Sequence, residues 1–241
     1  MRTRTNIDMV RDVTKRLFDA VEITPVAGLE GLGICSHPFT TSTLSVNPQT
    51  GEALDLTQEA DLAMYRQIIF DVIDRCELPI LCARIQSAYR MTWFKYCSPY
   101  MGIKDYAEML KECWVTEENP NQDANVSTTE AVTMFRKAKG LMDADEQAHF
   151  DALPEVVNIY RGVSPGREKF GLSWTDNREK ALWFKGRFEH GDEHGILLTA
   201  TIAKDDVLAY INARDEQEVV VDIHKLENVQ VVEHGEEKCK I

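Results

Sequence analysis

Near residue 153 the hydrophobic pattern changes period, and that change limits what the chain can fold into. Before it, apolar residues recur at helical spacing: Val10, Val13, Leu17, Phe18 and Val21, then Leu62, Tyr65, Ile68, Ile69, Val72 and Ile73, then Tyr106, Met109, Leu110, Cys113 and Trp114. Ser127-Thr-Thr-Glu130 has the form of a capping box opening a helix through Phe135, and Asp143-Ala-Asp-Glu146 opens a shorter one. Pro25 to Thr57 is rich in Gly, Pro, Ser and Thr and reads as a loop, with a small hairpin at Asn47-Pro-Gln-Thr-Gly51. After residue 153 come short β-branched runs, Val156–Arg161, Ile196–Ile202, Glu218–Ile223 and Val229–Val232, with one amphipathic helix over Asn177–Phe188. Val207–Asn212 reads as the lead into a loop before the glutamates at 216 and 218. The pattern predicts an α+β chain with a helical domain over residues 1–153 and a strand-rich domain over 154–241.

Charge and cysteine usage narrow the function classes. The net charge of −13 argues against a general nucleic-acid binder. About nine of the excess negatives precede residue 158, however, and residues 161–187 hold seven basic side chains against three acidic ones. Such an island suits a phosphorylated small molecule, although a solvated helix face is the commoner use of such a run. The six cysteines, at 35, 76, 82, 97, 113 and 239, form no Cys-x-x-Cys pair and read as free thiols in a reducing compartment. No stretch reaches the roughly 20 apolar residues of a membrane span, and no apolar run follows the charged N-terminus, so a cytoplasmic protein is expected.

Two other motifs lose to plainer readings. His190 and His194 have helical zinc-ligand spacing, but Gly191 and Gly195 make the segment a turn, so no metal site is expected. Gly28, Gly31 and Gly33 stand in the wrong order for a dinucleotide fingerprint.

Three segments of the strand-rich half carry chemistry together. They are Ile159-Tyr-Arg-Gly162, Gly171-Leu-Ser-Trp-Thr175, and Arg214-Asp-Glu-Gln-Glu-Val-Val-Val-Asp222. Each alone has a bland reading: a salt-bridging arginine, a strand serine, a solvated strand edge. If strand geometry extends back to residue 216, alternation turns Glu216 and Glu218 into one site.

In this order the segments resemble the mono-ADP-ribosyltransferases of the Arg–Ser–Glu, cholera-toxin-like class, in which Asp-Glu-Gln-Glu-Val occurs as it stands at 215–219. The resemblance covers residues 158–223, and the helical half carries no motif of the family. It implies a mixed or antiparallel split β-sandwich as the catalytic domain and NAD as co-substrate. Glu218 would stabilise the oxocarbenium-like transition state, Ser173 would position Glu218, and Arg161 would reach NAD phosphate or ribose oxygens. Glu216 would act on the acceptor as general base. Tyr160, Gly162, Trp174 and Thr175 would complete the NAD pocket, and Tyr210 and Arg214 would contact the acceptor. Ser173-Trp174-Thr175 departs from the Ser-Thr-Ser of many relatives but keeps both hydroxyls. The acceptor implied is protein arginine first and an RNA or DNA base second, in an intracellular toxin or phage effector whose helical half binds an antitoxin or regulator. Two other readings stand beside transfer: NAD glycohydrolysis on the same fold, and a non-catalytic interaction module.

Overall fold

In the computed structural model, residues 2–117 and 119–232 are described, without the side chain of Gln122; Cys239 lies outside them. The protein is α+β, with antiparallel sheets. It divides into two compact units, Met1–Val126 and Ser127–Ile241. This boundary falls earlier than the change of period at 153. The two capped helices after Ser127 pack with the sheet, and a shift from helix to strand marks a change of element rather than a change of core.

The first unit holds α1 (Ile7–Asp19), the hairpins β1 (Ile34–His37)–β2 (Thr40–Ser42) and β3 (Leu44–Val46)–β4 (Ala53–Asp55), and then α2 (Glu59–Ile73), α3 (Leu78–Arg84), α4 (Arg90–Cys97) and α5 (Ile103–Thr116). The β3–β4 hairpin turns where expected, with Asn47 Oδ1 accepting from the Gln49 amide at 2.9 Å and Gly51 at φ 76°. Its core centres on Leu81, Trp93, Phe94, Leu110 and Trp114. Trp93 donates its indole N–H to Thr14 Oγ1 at 2.9 Å, which satisfies a polar group in an otherwise apolar centre. Five cysteines, at 35, 76, 82, 97 and 113, are buried free thiols.

Helix α4 has no side-chain cap of its own, and two buried carboxylates from later in the chain take its orphan amides. The Met91 amide donates to Glu117 at 2.7 Å and the Thr92 amide to Asp123 at 2.9 Å. Burial raises the Glu117 carboxyl to about 7; Asp123 pushes the same way, against the Met91 amide and Arg90. A carboxyl raised on folding keeps its proton in the folded state after the unfolded chain has lost it, so stability falls as pH rises from about 4.5 to about 7 and then levels. Glu117→Gln keeps an acceptor for Met91 and removes the charge. We expect it to raise the melting temperature at pH 8 by several degrees and to leave it nearly unchanged at pH 4, read by calorimetry at both values.

The second unit holds α6 (Thr128–Lys137), α7 (Ala144–Ala152), β5 (Val156–Val163), β6 (Ser173–Thr175), α8 (Arg178–Gly186), β7 (Ile196–Ala203), β8 (Val207–Ile211), β9 (Glu218–Val221) and β10 (Glu227–Val232). Both predicted capping boxes close, Ser127 with Glu130 and Asp143 with Glu146. The strands make one antiparallel sheet in the order β10-β7-β5-β6-β9-β8. Val207–Ile211, read as a loop approach, is instead the edge strand β8, with Val207, Ala209, Tyr210 and Ile211 buried. Val157, Ile159, Trp174, Leu198, Ile202, Val219 and Val221 belong to the core of the unit. Arg136 of α6 reaches Asp206 at 3.2 Å and Asp222 at 2.9 Å, tying that helix to the ends of β8 and β9.

Candidate functional site

The six-stranded sheet is nearly divided. β5 pairs with β7 through eight residue pairs but with β6 through only one, Tyr160 opposite Thr175. Two three-stranded halves, β10-β7-β5 and β6-β9-β8, therefore meet at a single point, and the three motif segments converge there. Along the row Tyr160, Thr175, Glu218 and Ile211 lie opposite one another in turn. Paired residues share a face of the sheet, so half-buried Tyr160 and Glu218 lie on one side. Ser173 pairs with Val220, which sets it on that face diagonal to Glu218.

Arg161 bridges the fork beyond that pair. Its Nη1 donates to the Ser173 carbonyl at 2.5 Å, its Nε to the Lys169 carbonyl and its Nη2 to the Glu168 carbonyl, both at 3.3 Å. Burial lowers the guanidinium to about 10, and the nearby Glu218 carboxylate opposes that shift. It keeps its charge at neutral pH. The expected arginine, serine and glutamate segments are thus brought together, although Arg161 also does structural work. Arg161→Lys puts one ammonium where three fork nitrogens each hold a carbonyl. We expect it to cost about 2 kcal/mol in chemical denaturation. An arginine present only for a ligand would leave stability unchanged.

The approach to Glu218 is strained. Arg214, Asp215 and Gln217 all have positive φ, at 60°, 57° and 52°. Each such residue costs on the order of 1–2 kcal/mol, so the surroundings must hold the turn. Asn212 Oδ1 accepts from the Gln217 amide at 3.1 Å, and the Asn212 amide donates to buried Glu146 at 2.9 Å. From the start of α8, Asn177 Nδ2 donates to Gln217 Oε1 at 2.7 Å and Lys180 pairs with Asp215 at 2.8 Å. Asn177 also caps α8 through Oδ1, which accepts from the Glu179 and Lys180 amides. Asn177, Lys180, Asn212 and Gln217 were not legible as site residues. The Asn177 cap has a local signature, but its second bond joins segments forty residues apart.

Several expected site residues take other places. Glu216 is not on the strand: β9 begins at Glu218, and Glu216 follows a 3₁₀ turn with αR dihedrals, so the i, i+2 argument does not reach it. Arg214 pairs with its carboxylate at 3.2 Å across the same turn. Trp174 is buried in the core with its indole N–H on the Gly171 carbonyl at 2.9 Å, not presented to a ligand. Tyr210 is likewise buried, its ring stacked on His149 at 3.9 Å, because β8 turns it into the sheet core rather than toward an acceptor. Thr175 is buried with its hydroxyl accepting from the Asn177 amide at 3.1 Å, a supporting position. Gly162 faces α8: a Cβ there would overlap the Ala181 carbonyl oxygen and lie 2.5 Å from the Lys185 amide nitrogen, so its role is close packing rather than ligand contact. His190 and His194 flank a turn closed by a His190–Glu193 bridge.

Among the described residues no helix is long and apolar enough to cross a membrane. No family model, curated protein or solved structure matches the chain.

Proposed function

We propose that the second unit is an NAD-dependent mono-ADP-ribosyltransferase, of split β-sandwich type, that transfers ADP-ribose to a macromolecular acceptor. The observation that carries the reading is the convergence of Arg161, Ser173 and Glu218 where the two halves of the sheet part. Cleaving nicotinamide from ribose develops positive charge on the sugar, and a carboxylate fixed beside it stabilises that charge. Glu218 supplies the carboxylate at the head of β9. Arg161 supplies a guanidinium that stays charged at neutral pH and suits phosphate oxygens. Ser173 lies diagonal to Glu218, within the span a cross-strand neighbour can influence. The strained turn carrying Glu216 leads straight into Glu218, strain of this kind gathers at functional segments, and we assign it to the acceptor.

A second reading has one observation in its favour. Glu216 is paired with Arg214 rather than unengaged, which suits water as the acceptor and makes the protein an NAD glycohydrolase. Incubating the protein with labelled NAD and a cell lysate, then treating portions with protease and with nuclease, separates the two. Label retained on a macromolecule supports transfer, and free ADP-ribose alone supports hydrolysis. NAD left intact by folded protein rejects both. We place the activity inside the cell, as a toxin or phage effector whose helical unit takes an antitoxin or regulator; the five buried free thiols support a reducing setting.

A further inference from the structure

We infer that the surface at the C-terminal end of α8 docks single-stranded nucleic acid and that, on the transferase reading above, this strand is the acceptor. Trp183 and Phe188 are 57% and 46% exposed, a large ring area to leave in water. Cations are interleaved with them in one row. Arg167 lies over Phe188 at 5.7 Å, and Arg187 lies over both Phe188, at 5.0 Å, and Trp183, at 5.5 Å. The row starts at the turn whose Glu168 and Lys169 carbonyls hold Arg161, so it leads from the fork in the sheet along α8.

Two of the nearby acids are engaged. Glu189 accepts from Lys185 at 3.2 Å and from the Gly195 amide at 3.0 Å, and Asp176 pairs with His149 at 2.7 Å. Exposed rings alternating with guanidinium groups match a ligand that alternates flat bases with phosphates, each ring a stacking platform and each arginine a phosphate partner. An acidic peptide would use the cations and leave the rings unexplained. The chain's net charge of −13 counts against a general nucleic-acid binder, but screening over about 8 Å at physiological salt confines its reach, so binding here rests on the local rings and guanidinium groups.

Quenching of tryptophan fluorescence by an oligouridylate of about 15 nucleotides tests this without NAD, on wild-type protein and on Glu218→Gln alike. Binding is expected to weaken as salt rises and to fall about tenfold in both Trp183→Ala and Arg187→Gln, by anisotropy of labelled oligouridylate. Both side chains are at the surface, and unchanged melting curves would show the variants folded. NAD hydrolysis by the two variants should stay at the wild-type rate. No binding at low salt, binding that survives both substitutions, or equal competition by oligoglutamate would overturn the inference, the last pointing to an acidic protein partner. Because binding is read without chemistry, a protein that holds RNA but leaves NAD intact would sink the transferase reading and leave the docking surface standing.

Discussion

Glu218→Gln is expected to lower NAD cleavage by about a thousandfold or more while shifting the melting temperature by less than about 5 °C. The size follows from the transition state: glutamine keeps the shape and a hydrogen-bonding oxygen but loses the charge that meets the developing oxocarbenium ion. The stability cost is small because Glu218 is half-buried at the head of β9 and its electrostatic partner Arg161 keeps three backbone carbonyls. Glu216→Ala is the informative companion. The Arg214–Glu216 pair is partly exposed and worth under about 1 kcal/mol. The turn also keeps its anchors to Asn177, Lys180 and Asn212. On the transferase reading this variant loses acceptor labelling and retains NAD hydrolysis. Equal loss of both activities would place Glu216 in the cleavage step instead. Rates of nicotinamide release and of acceptor labelling, measured side by side, decide between these outcomes.

Gly162→Ala is expected to lower the melting temperature by about 10 °C, corresponding to about 3 kcal/mol, and to reduce activity in the protein that remains folded. The atoms a methyl would meet are the Ala181 carbonyl oxygen and the Lys185 amide nitrogen, both main chain of α8, so no side chain can turn aside. Either α8 lifts from β5 or β5 bends beside Arg161. Both routes disturb the fork in the sheet and, through Asn177 and Lys180 at the start of α8, the turn before Glu218. Differential scanning calorimetry with a parallel NAD assay reads both effects. A variant as stable as wild type would show that α8 does not pack on β5 as closely as described.

Local chemistry was readable along the chain. Ser127 with Glu130 and Asp143 with Glu146 close their capping boxes because such a box needs only residues three apart. The Asn47–Gly51 turn and the strands around residues 156, 196 and 218 follow from alternation and turn residues within a few positions. Helix α4 did not announce itself, because Met91, Thr92, Trp93, Phe94 and Cys97 bury it on several sides and leave no single apolar stripe. Val207–Ile211 does not read as a strand because two aspartates precede it and an Asn-Ala-Arg-Asp turn follows, while the partner that makes it a strand, β9, comes later in the chain.

The candidate site divides in the same way. Arg161, Ser173 and Glu218 could be named from order and residue type, since the chemistry asks for those groups. Their convergence depends on a sheet whose halves touch only at Tyr160 and Thr175, a pairing between residues fifteen apart. The exclusion of Trp174 and Tyr210 from the ligand side is also non-local, since each faces the core through the register of its strand with β9. Glu216 shows the limit most sharply. Period-two alternation is a property of extended backbone, and Arg214, Asp215 and Gln217 leave that region of φ. Contacts from Asn177 and Lys180, distant in sequence, help hold the turn that a reading of adjacent residues would have made a strand.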